Sequence, residues 1–148
     1  MQTESIDIKM LNLRDRRVTA EMRRSALPLE AFTTGENLMV TCSYGVFEIE
    51  HGYPFKPPKL LVFGEDHVRL LYRRQQNLRD FMKFYRLEEM CVCCQNLRCK
   101  WSPCYGLKDI MEEYLEFSKR INIFSRLQVV LANLPFDDNI NTQIVSFF

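Results

Sequence analysis

The chain lacks an excess of charge of either sign: over 148 residues, Lys and Arg number 20 against 19 Asp and Glu, a formal net charge of +1. That balance gives no general attraction to nucleic acid, and Arg73-Arg74 is too short to form a local basic patch. No uncharged apolar run approaches the ~18 residues that a membrane-spanning helix requires. Met1 to Asp7 lack the basic-then-apolar pattern of a secretory signal. These absences point to a chain of the cytoplasm or nucleus, where six cysteines are expected as thiols or metal ligands and not as disulfides. The two histidines, His51 and His67, have no paired ligand spacing and are expected at the surface or at strand ends. Repeats, low-complexity tracts and linkers are also missing, so one domain is expected over residues 1–148. Its length suffices to bury roughly two-thirds of the unfolded surface.

What is present reads as α+β. Ile8, Leu11, Val18 and Met22 lie near one face of a first helix expected over residues 6–26, with Ser5 or Asp7 as its cap and Pro28 beyond its end. Leu38 to Cys42 and Val46 to Glu50 alternate with the period of strands, placing Val40, Phe47 and Ile49 inward. Leu60 to Phe63 is a short apolar run that suits a buried strand. His67 to Arg74 could extend as a further strand, and Leu78, Phe81, Met82 and Tyr85 have helical spacing within 77–90. Ile110, Tyr114, Phe117, Ile121 and Phe124 mark a long helix from about Tyr105 to Leu131, and Asp137-Asp138 suit the cap of a last helix. A helix, a meander of strands, then helices is the α+β pattern.

Two motifs point further. Tyr53-Pro54-Phe55-Lys56-Pro57-Pro58-Lys59 cannot be helical, because three prolines fix φ, remove donors and push their predecessors toward extended geometry. Trp101-Ser102-Pro103 follows a cysteine-rich stretch, and counting back eight from Trp101 lands on Cys93, with Val92 before it and Leu97 four after it. Together these segments resemble the ubiquitin-conjugating enzyme family (UBC-like fold), in which a YPFxPP segment precedes a sheet strand and the active cysteine lies shortly before WSP. The tail from Pro135 to Ile144 is similar to a family loop that passes beside the active site. The resemblance implies a carrier of ubiquitin, or of a ubiquitin-like protein, that accepts it from an activating enzyme as a thioester and transfers it to lysine with a ligase. It implies Cys93 as the nucleophile, Asp138 as the acidic residue at the gate, and no cofactor or metal. Thiolate attack and acyl transfer suit cysteine, whose sulfur is nucleophilic near neutral pH and leaves readily. The resemblance also implies a ligase-binding edge at Phe55, Ser102, Pro103 and Cys104, and an activating-enzyme face at Arg14, Arg16 and Arg17. No nucleic acid or membrane partner is implied.

The chain departs from the family in four places. Lys83-Phe84-Tyr85 stands where the family has His-Pro-Asn, whose asparagine supports the oxyanion; Asn96 is the candidate replacement. The interval from Tyr53 to Cys93 is longer than the family's, which implies an insertion around 64–90, and the interval from Trp101 to Asp138 is longer too. The chain ends at Phe148, so the family's last helix is expected to be truncated or missing. Two other readings stay open: a non-catalytic scaffold of the same fold that binds ubiquitin or a ligase, and an interaction module stabilised by zinc on Cys91, Cys94, Cys99 and Cys104. Asp138 equally suits a plain helix cap, and Arg14 and Arg17 a solvated helix face.

Overall fold

The structure is a computed structural model that describes residues 12–26 and 28–147. Helix α1 spans Leu13–Arg24, and the Asn12 side chain accepts from the Asp15 N–H at 2.9 Å to cap it. The expected cap at Ser5 or Asp7, and Ile8 and Leu11, lie outside the described residues. Val18 and Arg14 are the buried positions of α1.

Five antiparallel strands follow in sequential order: β1 (Glu30–Thr34), β2 (Asn37–Cys42), β3 (Gly45–Ile49), β4 (Lys59–Val62) and β5 (Glu65–Asp66). Register pairs Val40 with Phe47 and Phe47 with Leu60, so one face carries Val40, Cys42, Phe47, Ile49, Leu60 and Val62 into the core. Gly45 is required at its position, since a Cβ there would lie 2.0 Å from the Leu61 carbonyl oxygen. The run at 60–63 is not buried throughout. Leu60 and Val62 face inward, while Phe63 turns into solvent with φ of 53°.

The stretch His67 to Arg74, expected as a further strand, is helical and lies in α2 (His67–Asn77), while the helix expected within 77–90 is the shorter α3 (Arg79–Phe84), followed by a 3₁₀ turn at Glu88–Met90. The physical reason is local. Asp66 accepts from the Val68 N–H at 3.0 Å and so caps α2, and His67 and Leu71 fall one turn apart on its buried face. Leu78 ends α2 and begins α3, and Arg86 takes the left-handed φ of 58° that closes the pair. A single turn, α4 (Val92–Gln95), precedes α5 (Leu107–Ala132) and α6 (Asp138–Val145).

Helix α5 is the spine that joins two clusters. Its first half lays Leu107, Ile110 and Met111 against Val18 of α1 and the inner face of the sheet. Its second half lays Phe117, Ile121, Phe124, Leu127 and Leu131 against Leu71, Leu78, Phe81, Met82 and Val92, with Val145 of α6 beside them. Twenty-six residues at 1.5 Å rise give ~39 Å, long enough to serve both clusters. Among the described residues, no helix is long and apolar enough to cross a membrane.

Candidate active site

The two motifs meet. The Tyr53-Pro54 peptide is cis, and the Pro54 carbonyl accepts a 2.7 Å hydrogen bond from Trp101 Nε1. The Tyr53 and Trp101 rings lie 6.2 Å apart between centroids. Tyr53 is 1% exposed, and its hydroxyl donates to Glu21 Oε1. Glu21 also accepts from Arg17 Nε at 2.6 Å and, through Oε2, from the Leu107 N–H at 2.9 Å. One carboxylate therefore ties α1 to the proline crossing and to the start of α5. Burial, followed by the Glu21 hydrogen bond and charge, pushes the Tyr53 phenol well above its ordinary range. The Glu21 hydrogen bond is the main reason that the Arg17 pKa rises.

That join displays an edge. Phe55 is 68% exposed next to Pro54, and Pro103 and Cys104 are exposed beyond Trp101, with Ser102 half-buried. Ser102 Oγ and Cys104 Sγ are 3.0 Å apart. The basic face expected on α1 is otherwise. Arg14 is buried, donating through its guanidinium to the carbonyls of Glu36 at 2.7 Å and Ile49 at 3.2 Å and to Asp15 at 2.7 Å. It is an internal strut between α1 and the sheet, where two carbonyls and a carboxylate offset the desolvation of its buried guanidinium. Arg17 is half-buried, held by Glu21 and by the Tyr105 carbonyl at 3.3 Å.

Val92, 1% exposed, anchors α4 in the second cluster, and its N–H donates to Gln75 Oε1 at 2.9 Å. Around it Cys91 is half-buried while Cys93 and Cys94 are exposed. The three sulfurs lie within 4.8 Å of one another, and Cys93 and Cys94 Sγ are 3.4 Å apart. Cys99 Sγ approaches the Cys93 carbonyl at 3.6 Å. Cys104 lies instead beside Ser102, and the zinc set read from spacing does not assemble: Cys93 joins Cys91 and Cys94, while Cys99 and Cys104 fall outside the cluster. Burial favours the neutral Cys91 thiol, but hydrogen bonds from Cys93, Gln75 and the Cys93 and Cys94 backbone outweigh it and lower its pKa. Cys93 moves the other way, pushed up to about 12 by its hydrogen bonds to Cys91 and Cys94 and then by burial.

Asn96 is 3% exposed. Its Nδ2 donates to the Val92 carbonyl at 2.8 Å and the Cys93 carbonyl at 3.2 Å, and its Oδ1 accepts from the Cys99 N–H at 3.1 Å. Both amide protons are engaged with backbone, so the side chain shapes the cysteine turn and does not point a spare donor at Cys93. Asp138 is the first residue of α6, with Asp137 as the cap that accepts from Asn139 and Ile140 N–H. The groups it meets include Tyr85, whose phenol is shifted upward by burial and then by the Asp138 charge.

Sequence reading missed the polar core beside this turn. His67 is 2% exposed, not a surface residue, with Nδ1 3.8 Å from Asp66 and Nε2 3.6 Å from Glu113. Among the described residues neither ring nitrogen has a hydrogen-bond partner, and its ring meets Tyr114 edge-on at 6.3 Å. Glu113 accepts from the Leu97 N–H, and Asp66 holds Arg98 with two oxygens. Burial acts to raise the Asp66 pKa, but Arg98 and the Val68 N–H prevail and hold it below the usual carboxylate range. The sequence reading singles out none of Asp66, Arg98 and Glu113, because it takes His67 to Arg74 as a strand and not as a helix capped by Asp66. Comparison with known protein families, with curated proteins and with solved structures returned no match to this chain.

Proposed function

We propose that the chain is a divergent ubiquitin-conjugating-like acyltransferase that carries ubiquitin or a ubiquitin-like protein as a thioester on Cys93. The observation that supports it best is the join of the two motifs: Trp101 Nε1 on the Pro54 carbonyl, with the tyrosine of the same crossing buried beneath. This brings the segments of the resemblance together in space, leaves Phe55, Pro103 and Cys104 exposed as a ligase-binding edge, and sets Cys93 at the surface eight residues before Trp101. The activating enzyme's thioester carbonyl is attacked by Cys93 Sγ, whose proton passes to solvent, and the activating enzyme leaves as its own thiolate. The acyl group then goes to a lysine amine, with Cys93 as leaving group.

A specific observation favours a second reading, a non-catalytic scaffold of the same fold. Asn96, the candidate oxyanion donor, is fully engaged with backbone carbonyls. Loss of one such donor costs about 10²–10³ in rate, so lysine discharge is the step at risk. The separating experiment is incubation with activating enzyme, ATP and tagged modifier, followed by timed discharge to free lysine. Charging with slow discharge supports the carrier; no charging supports the scaffold.

A further inference from the structure

We infer that Cys91, Cys93 and Cys94 form a site for a single thiophilic d¹⁰ cation, zinc(II) in the first instance. The inference goes beyond the carrier reading and does not rest on it. Four consecutive residues, Cys91-Val92-Cys93-Cys94, bring three sulfurs within 4.8 Å of one another, with the closest pair at 3.4 Å. Three thiolates at Zn–S of about 2.3 Å in tetrahedral geometry lie about 3.8 Å apart, so closing the site needs only side-chain adjustment.

The frame around the sulfurs is already fixed. Val92 is locked into the apolar cluster and bonded to Gln75, while Asn96 ties the Val92 and Cys93 carbonyls to the Cys99 N–H. Such backbone support orients ligands before the metal arrives. The site opens to solvent on the side of Cys93 and Cys94, giving the cation an entry path and leaving its fourth position to water or an exogenous ligand. All-sulfur donors select zinc or copper(I) over magnesium or calcium. The thiols that crowd one another without a cation must shed their protons to bind one, so occupation releases protons to solvent. A metal and an acyl group cannot share the Cys93 sulfur, so a filled site excludes modifier loading.

The experiment uses the reduced, metal-free full chain without activating enzyme. Cobalt(II) titration is expected to raise thiolate-to-cobalt charge-transfer absorption that saturates at one equivalent, is bleached by equimolar zinc(II), and is accompanied by proton release. Cys91→Ser, Cys93→Ser and Cys94→Ser should each raise the half-saturating cobalt concentration by at least about tenfold, since even outer-shell partners are worth 10–100-fold. Cys104→Ser should leave it unchanged. Cys93 and Cys94 are exposed, so their serine variants keep the fold, and equal melting in chelator verifies this. Zinc should also protect Cys93 and Cys94 from alkylation, mapped by mass, while leaving Cys104 reactive. Absence of the band overturns the proposal, as does an undiminished band in Cys93→Ser or an equal loss in Cys104→Ser. Because no modifier is present, failure here leaves the charging assay to judge the carrier reading separately.

Discussion

Replacing Glu21 by alanine removes the carboxylate on which three elements converge, and its cost follows from its partners. The Arg17 bond at 2.6 Å counts for little, because the Arg17 side chain is 35% exposed and such pairs are worth ~0–1 kcal/mol. The other two partners are different. The Tyr53 hydroxyl and the Leu107 N–H belong to residues that are each 1% exposed, so Glu21→Ala leaves two donors without a ready replacement. Each unsatisfied donor costs roughly 1–2 kcal/mol, which brings the total to about 3 kcal/mol. For a chain of this size that is a melting shift of about 6–12 °C. Glu21→Gln, which keeps one acceptor oxygen, should lose about half as much. Tyr53→Phe removes one of the orphaned donors, so the double variant Glu21→Ala/Tyr53→Phe should cost less than the sum of the two singles by at least ~0.5 kcal/mol. Thermal and guanidinium melts of the wild type and the four variants decide the matter. A Glu21→Ala shift under about 2 °C, or strict additivity in the double, refutes the reasoning.

Other expectations follow from the same structure. Asn96→Ala should lower stability by about 2–3 kcal/mol, because three hydrogen bonds at a buried side chain are lost at ~1 kcal/mol each; unchanged melting with slowed discharge would restore it as a catalytic donor. The folded Asp66 pKa lies below its unfolded value, so its contribution is complete above the usual carboxylate range and fades as pH falls through the folded pKa. Asp66→Asn should therefore reduce stability at neutral pH and flatten the acid limb of the stability curve, and an unaltered acid limb contradicts that account. Phe55→Ala should leave melting within ~0.5 kcal/mol, since the ring is 68% exposed, while weakening ligase-stimulated discharge; equal stimulation in both proteins removes Phe55 from the partner edge.

The strands β2 and β3 and the helix α5 were legible in the sequence because their buried residues repeat at the period of the element, β4 because it is a short apolar run, and α6 because Asp137-Asp138 suit a helix cap. Phe47 and Ile49 alternate with Glu48 and Glu50, and Ile110, Phe117, Ile121 and Phe124 keep the helical interval. Strand β1 was not legible, since all five of its residues are exposed and leave no alternation to read. Helix α2 was obscured because one of its two buried positions is a histidine, a residue type that does not announce a core face. Arg14 misled for the same reason: its burial depends on carbonyls from Glu36 and Ile49, distant in sequence. The spacing of the cysteines located the cluster but not its membership. At the start of α4 the sulfurs of Cys91, Cys93 and Cys94 converge, while Cys99 and Cys104 lie outside the cluster, Cys104 beside Ser102. Nor did the sequence show that the amide of Asn96 is consumed by the turn that it sits in.

The most direct test of the carrier reading is incubation of the reduced chain with activating enzyme, ATP and tagged ubiquitin or a ubiquitin-like protein, followed by electrophoresis without reductant. The account predicts a heavier band that vanishes with reductant, persists in Cys91→Ser and Cys94→Ser, and in Cys93→Ser is absent or becomes a reductant-resistant oxyester. No adduct with any activating enzyme and modifier pair, or a labile band that is lost in Cys94→Ser and retained in Cys93→Ser, contradicts it.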